Sequence, residues 1–178
     1  MPTPNGNEQY APFNILAFGD KLLVSYALQL LPEAGDDDAG PGRGFVDIFD
    51  TDGNFIQRLL SHGALNSPWG MAVSREHGND LDLLVGNFGD GHINVYGLSM
   101  FGKRVAASSE GALKVVNSKK SDDPFVISPG LWGFAFGSGK GGFDTDDIYF
   151  AAGPNIPPDT ELEDAGAFGE LDFVGPRR

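Results

Sequence analysis

The residues of this chain best suited to chemistry are carboxylates, amides and histidines set in Gly-rich loops. Asp36, Asp37 and Asp38 form an acidic run, and Asp90 and His92 flank Gly91 in NFGDGH (Asn87–His92). Hard cations take about six to eight oxygens from carboxylates, amides and backbone carbonyls. Asp36, Asp37, Asp38 and Asp90 are therefore candidate ligands for Ca²⁺, against the plainer reading of solvated acidic loops. Further acids, Glu33, Asp159, Glu161, Glu163 and Asp164, stand in loops of the same kind. Asn66, Trp69, Asn87, Asp90, His92 and Asn155 form a candidate ligand-binding set. In it the amides hydrogen-bond, the acid and histidine exchange charge, and the indole stacks on a sugar or aliphatic group.

Other motifs carry less. In DTDGN (Asp50–Asn54), Gly53 follows the second Asp directly and no Glu stands at the required place, so a hairpin turn is expected rather than a calcium loop. GSGKGG (Gly137–Gly142) has Gly141 where a phosphate loop needs Ser or Thr, and acidic sequence follows it; it reads as a strand connection. His62, His77 and His92 share no metal-ligand spacing, and no G-x-S-x-G nucleophile elbow occurs. Trp69 and Trp132 recur at matching positions, which favours inner-strand packing over ligand stacking.

These loops need strands to hold them, and the chain repeats. APFNILAF (Ala11–Phe18), SPWGMAVS (Ser67–Ser74) and GLWGFAFG (Gly130–Gly137) align. Each is followed by a second apolar run: LLVSYA (Leu22–Ala27), DLLVGNF (Asp82–Phe88) and IYFAAGP (Ile148–Pro154). A third run follows each in turn: GFVDIFD (Gly44–Asp50), GHINVYG (Gly91–Gly97) and FGELDFVG (Phe168–Gly175). FIQRLL (Phe55–Leu60) supplies a fourth in the first repeat. Units of four short antiparallel strands predict β-propeller blades. The expected organisation is a flexible N-terminus over 1–9, then blade-like repeats over about 10–62, 63–128 and 129–175. Lys21–Leu31 would also suit an amphipathic helix by composition, but its counterparts are short and β-rich, which favours strand. Residues 97–112 interrupt the pattern and read as a long exposed loop or an insertion foreign to the repeat.

Composition agrees with many turns. Of 178 residues, 26 are Gly and 12 Pro, against no Cys. Gly and Pro mark turns between short strands. The absence of Cys excludes disulfides, zinc–thiolate sites and thiol nucleophiles. A formal net charge of -13 argues against nucleic acid and anionic membrane surfaces as partners. The N-terminal MPTPNGNEQYAPF has neither a basic region nor an apolar core, so no signal peptide is expected.

The strings AGPGRGFVDIFDTDGNFIQRL, LNSPWGMAV, LLVGNFGDGHINVY, GLWGFAFG and IYFAAGPN resemble an uncharacterised NHL-like β-propeller family. Its members are bacterial and often secreted, some with a PEP-type C-terminal sorting signal. The likeness runs from about Tyr10 to Leu171 and is to the family's C-terminal half. It implies a propeller and, if the chain follows its relatives, an extracellular location, and it carries over no catalytic residues. The fold class expected is all-β: about three NHL-like blades, half of a six-bladed ring. Such a half leaves two open apolar flanks, to be covered by a second copy in a homodimer or by further N-terminal blades of a longer chain. The function expected is a binding or scaffold module that recognises a protein, peptide or glycan through one loop face, and not an enzyme. The alternative is a Ca²⁺-dependent hydrolase or lactonase of six-bladed propeller type.

Overall fold

The computed structural model describes residues 8–30, 36–75, 81–114, 126–127, 130–153 and 166–172. It is all-β: among the described residues there is no helix. Within these residues eleven strands form three antiparallel sheets of four, four and three strands. Sheet 1 is the meander β1 (Tyr10–Phe18), β2 (Lys21–Leu28), β3 (Gly44–Asp50) and β4 (Phe55–Ser61). Sheet 2 repeats that order with β5 (Pro68–Arg75), β6 (Leu81–Asn87), β7 (Ile93–Phe101) and β8 (Arg104–Ala112). Sheet 3 has β9 (Leu131–Phe136), β10 (Asp147–Ala152) and β11 (Ala167–Asp172).

Strand periodicity decides the packing, because alternate side chains point to opposite faces. Sheet 2 is apolar on both. Met71, Leu83, Val85, Tyr96 and Leu98 face sheet 1, where they meet Leu23, Val46, Ile48 and Leu60. Ala72, Leu84, Ile93 and Val95 face sheet 3, where they meet Leu131, Phe134 and Ile148. The first strands lie side by side, β5 touching β1 on one side and β9 on the other. Phe134 fills the space over two glycines: a Cβ on Gly70 or Gly86 would lie 2.7 Å from its ring. At the outer edge the Gln57 amide acts like a short piece of strand. It donates to the Val105 carbonyl at 2.7 Å and accepts from the Val105 N–H at 3.2 Å, tying β4 to β8.

Lys21–Leu28 is a strand, as its counterparts suggest, and not a helix. Residues 97–112 correct the expectation of a loop or foreign insertion. They complete β7 and form β8, paired from Asn94↔Ala112 to Phe101↔Arg104. The strand hides in the sequence because only Val105 and Ala107 of RVAASSEGA join the core. The turn at Gly102 has φ +63°, which glycine adopts at no steric cost.

DTDGN is a hairpin turn between β3 and β4, with Gly53 at φ +84°. The Asp50 carboxylate accepts from the N–H groups of Asp52 and Asn54 and from the Asn54 amide. Those bonds, the Asn54 amide first, hold it below the usual carboxylate range. GSGKGG lies in the connection between β9 and β10, where Gly139 donates to the Phe143 carbonyl.

Candidate functional site

The site lies in loops that leave and re-enter the sheets on one side. After β2 the chain turns back on itself: Leu30 donates to the Asp36 carbonyl and Asp38 to the Leu28 carbonyl. This returns residues 36–43 beside the β4–β5 connection, where Gly42 donates to the Leu65 carbonyl and Ser67 to the Arg43 carbonyl. The β6–β7 loop then closes over both, as Phe88 and Gly89 donate to the carbonyls of Ser67 and Asn66.

Four of the six candidate ligand-binding residues meet here. The Asn66 amide oxygen accepts from the Gly40 N–H at 2.7 Å, and its nitrogen donates to Asp90 Oδ2 at 3.1 Å. The buried Asn87 amide accepts from the Asn66 N–H at 3.1 Å and donates to the Ala64 carbonyl at 2.8 Å and Asp90 Oδ1 at 3.1 Å. Asp90 Oδ1 also accepts from the His92 N–H at 3.1 Å, and His92 Nδ1 lies 3.2 Å from it. The loops are packed to contact: a Cβ on Gly89 would lie 2.2 Å from Asn66 Oδ1, and one on Gly91 would lie 1.6 Å from the Ile127 carbonyl oxygen. Every polar atom of the two asparagine side chains is used inside the protein. What faces outward is the Asp90–His92 pair, with side chains 35% and 32% exposed.

Trp69 lies beside this network, half-buried between Phe13 at 4.9 Å and Phe88 at 5.6 Å between ring centroids. Its ring ties β1, β5 and the β6–β7 loop together. Trp132 packs in the same manner against Gly153, whose Cβ would lie 2.2 Å from the indole. Asn155 lies outside the described residues, as do Glu33, Asp159, Glu161, Glu163, Asp164 and His77. His62 stands apart, with Nδ1 2.9 Å from the Gly42 carbonyl oxygen.

The candidate calcium ligands do not converge. Asp36 is exposed, Asp38 is paired with Arg43, and Asp90 is held by the asparagines and His92. Among the described residues no group of three or more carboxylates and histidines is placed to hold a metal ion. Asp37 turns inward instead. Its Oδ2 and the Ser67 hydroxyl are both shut from solvent without a well-formed hydrogen bond. Burial pushes the Asp37 carboxyl up, the Ser67 hydroxyl opposes that, and the neighbouring Asp36 charge adds to it.

Two contributors were not picked out from the sequence. Asn94, buried on β7, donates to the Ala64 carbonyl at 3.2 Å. A polar amide at an inward position of an alternating strand is the signal that marks it. Ser67 meets Asp37 only through the fold, and nothing local to either residue announces the pair.

No protein-family model and no solved structure matches this chain. Two uncharacterised proteins of Acanthamoeba polyphaga mimivirus are each 39% identical to it over 92 and 89 residues. Each match covers 49% of this chain, and 24% and 22% of the two relatives. A third uncharacterised mimivirus protein is 33% identical over 106 residues, covering 58% of this chain and 20% of its own length. The chain thus spans less than a quarter of the relatives it matches.

Proposed function

We propose that this chain is a run of three NHL-like β-propeller blades that serves as a binding module for a protein, peptide or glycan. The blade reading is supported by the recurring meander, the neighbouring first strands β1, β5 and β9, and the double-faced packing of sheet 2. The binding reading rests on one observation. The Asn66–Asn87 network saturates itself and leaves the Asp90–His92 pair presented at its rim. A frame braced in this way holds a charged, two-sided hydrogen-bonding group in one place without paying ordering entropy on binding. An acid–histidine pair offers an acceptor and a donor together, which suits sugar hydroxyls and peptide groups.

The test screens the 178-residue chain on a glycan array and a peptide library, with His92→Ala in parallel. His92 is partly exposed and its ring is not part of the asparagine brace, so the variant should fold. Hits that weaken at least about tenfold in His92→Ala support the reading. Hits indifferent to the substitution, or none with either protein, overturn it.

A further inference from the structure

Among the large apolar side chains at the surface, Ile15 is 61% exposed on β1 and Phe168 is 71% exposed on β11. The internal repeat explains both. In the aligned strings Ile15 corresponds to Met71 and Phe134. Met71 is buried against sheet 1 and Phe134 against sheet 2. The neighbours follow suit: Leu22 and Val24 match Leu83 and Val85 in the first joint and Ile148 and Phe150 in the second. Sheet 1 therefore turns outward the face that sheets 2 and 3 bury: Ile15 is exposed there, Leu22 and Val24 are half-buried, and the Arg58–Asp47 ion pair lies beside Val24.

Sheet 3 does the converse. By strand register Phe168 and Tyr149 occupy the places of Ile93 and Leu84 in sheet 2, and of Val46 and Leu23 in sheet 1. Those four are fully buried at the two internal joints. Phe168 instead stacks on Tyr149, which meets Phe143 edge-on, all three on the outward side. The small residues match as well. Gly133 and Ala151 stand where Gly70 and Gly86 receive the Phe134 ring, and a Cβ on Gly133 would meet nothing within 4 Å. One free face carries the projecting side chain and the other carries the open seat. The acids Asp147 and Asp172 pair at one end of the sheet 3 face and Glu170 stands opposite Tyr149 in its middle, so the apolar end is that of Ala151 and Phe168, beside Gly133.

We propose that the free face of sheet 1 docks onto the free face of sheet 3 of a second copy of this chain, Ile15 seating over Gly133 and Ala151. This is the contact the molecule already makes twice within itself. Two copies joined head to tail in this way make the contact twice and close, so the expected particle is a dimer. The inference goes beyond the loop-face binding reading and does not depend on it.

Light scattering coupled to size exclusion, run on the full chain over a range of concentrations, tests it with Ile15→Glu and Gly133→Leu. Ile15 is exposed and Gly133 has open space, so neither change disturbs the fold, which circular dichroism and melting check. Each variant alone is expected to raise the dimer dissociation constant at least about tenfold. Mixed one to one, they leave one intact joint between an Ile15 face and a Gly133 face, and should recover heterodimer. A monomeric wild type overturns the proposal and leaves these faces to further sheets of a longer polypeptide. A wild type that polymerises overturns the closed pair. A dimer lost in Ile15→Glu but untouched by Gly133→Leu overturns the head-to-tail arrangement in favour of two sheet 1 faces meeting each other.

Discussion

Replacing Asn87 by Ala removes the centre of the loop network, and its cost follows from which partners are left stranded. Asn87 has no exposed surface and makes three side-chain hydrogen bonds. Two of its partners keep another bond. The Ala64 carbonyl still accepts from Asn94 at 3.2 Å, and Asp90 Oδ1 still accepts from the His92 N–H at 3.1 Å. The Asn66 N–H keeps nothing. An orphaned buried donor costs ~1–3 kcal/mol. The cavity left by the carboxamide adds about 1 kcal/mol, for a total of about 2–4 kcal/mol. In a chain of this size each kcal/mol lowers Tm by about 2–4 °C, so a drop near 10 °C is expected. Asn87→Asp sharpens the test. It keeps an acceptor for the Asn66 N–H but loses both donors and sets a second carboxylate beside Asp90. At pH 7 it should melt below the alanine variant, and the gap should narrow toward pH 5 as the added charge is neutralised. Calorimetry reads the melts, and hydrogen exchange at Gly40 and Gly89 reads whether the loops loosen. An Asn87→Ala melt within about 2 °C of wild type would refute the reasoning, because the network would then hold nothing.

Three further outcomes follow from local geometry. Arg58 holds the fully buried Asp47 with two bonds, at 2.8 and 3.2 Å, and lies 3.7 Å over the Phe45 ring. Arg58→Met strands that charge and should cost about 3 kcal/mol in urea titration, whereas pairing it with Asp47→Asn should recover part of the loss. Gly70→Ala drives a methyl into the Phe134 ring and should cost ~1–3 kcal/mol, while Gly133→Ala, in open space, should stay within about 0.5 kcal/mol of wild type at a concentration where the chain is monomeric. Partial removal from water, hydrogen bonds to Glu170 and Asp172 and their charges push Asp147 up to about 6. Between pH 4 and 6 the folded chain therefore binds more protons at this group than the unfolded one. Hydrogen-exchange protection of β11 should rise as pH falls from 7 to 5, and Asp147→Asn should flatten the change.

The strands were legible where both faces are apolar or where alternation is clean, as in Leu81–Asn87 and Gly44–Asp50. β8 was not, because one face of RVAASSEGA is water-facing and its other face holds only small side chains. The third sheet shows three strands among the described residues where the repeat predicted four. Asn66, Asn87, Asp90 and His92 were legible as residues of one loop face, because turns on one side of consecutive meanders lie together. Their use was less legible: the asparagines spend their hydrogen bonds on the backbone, which is a property of distance and not of spacing along the chain. How the acidic run is used was not legible for the same reason. Its three carboxylates point to an ion pair, to solvent and to a buried hydroxyl, and sequence adjacency says nothing about which goes where.

That buried hydroxyl gives a last prediction. Ser67, immediately before β5, has φ +47°, a conformation that costs a non-glycine residue ~1–2 kcal/mol. Its repeat counterpart is Gly130, at φ +106°, which adopts the left-handed region freely. Both N–H groups do the same work, bonding a carbonyl of the preceding sheet's loop: Arg43 at 3.1 Å and Phe88 at 2.8 Å. The backbone at this joint therefore asks for glycine, and Ser67 adds a buried hydroxyl without a well-formed bond. Ser67→Gly relieves the dihedral strain and removes the hydroxyl, against ~0.5–1 kcal/mol of extra chain entropy lost on folding. A net gain of about 1 kcal/mol is expected, seen as a Tm higher by about 2–4 °C. The hydroxyl also lowers the Asp37 pKa, so its removal should raise that pKa further. A variant that melts lower than wild type would mean that the contact with Asp37 outweighs both costs. Serine would then be held at this joint by its contact with the buried Asp37 carboxylate.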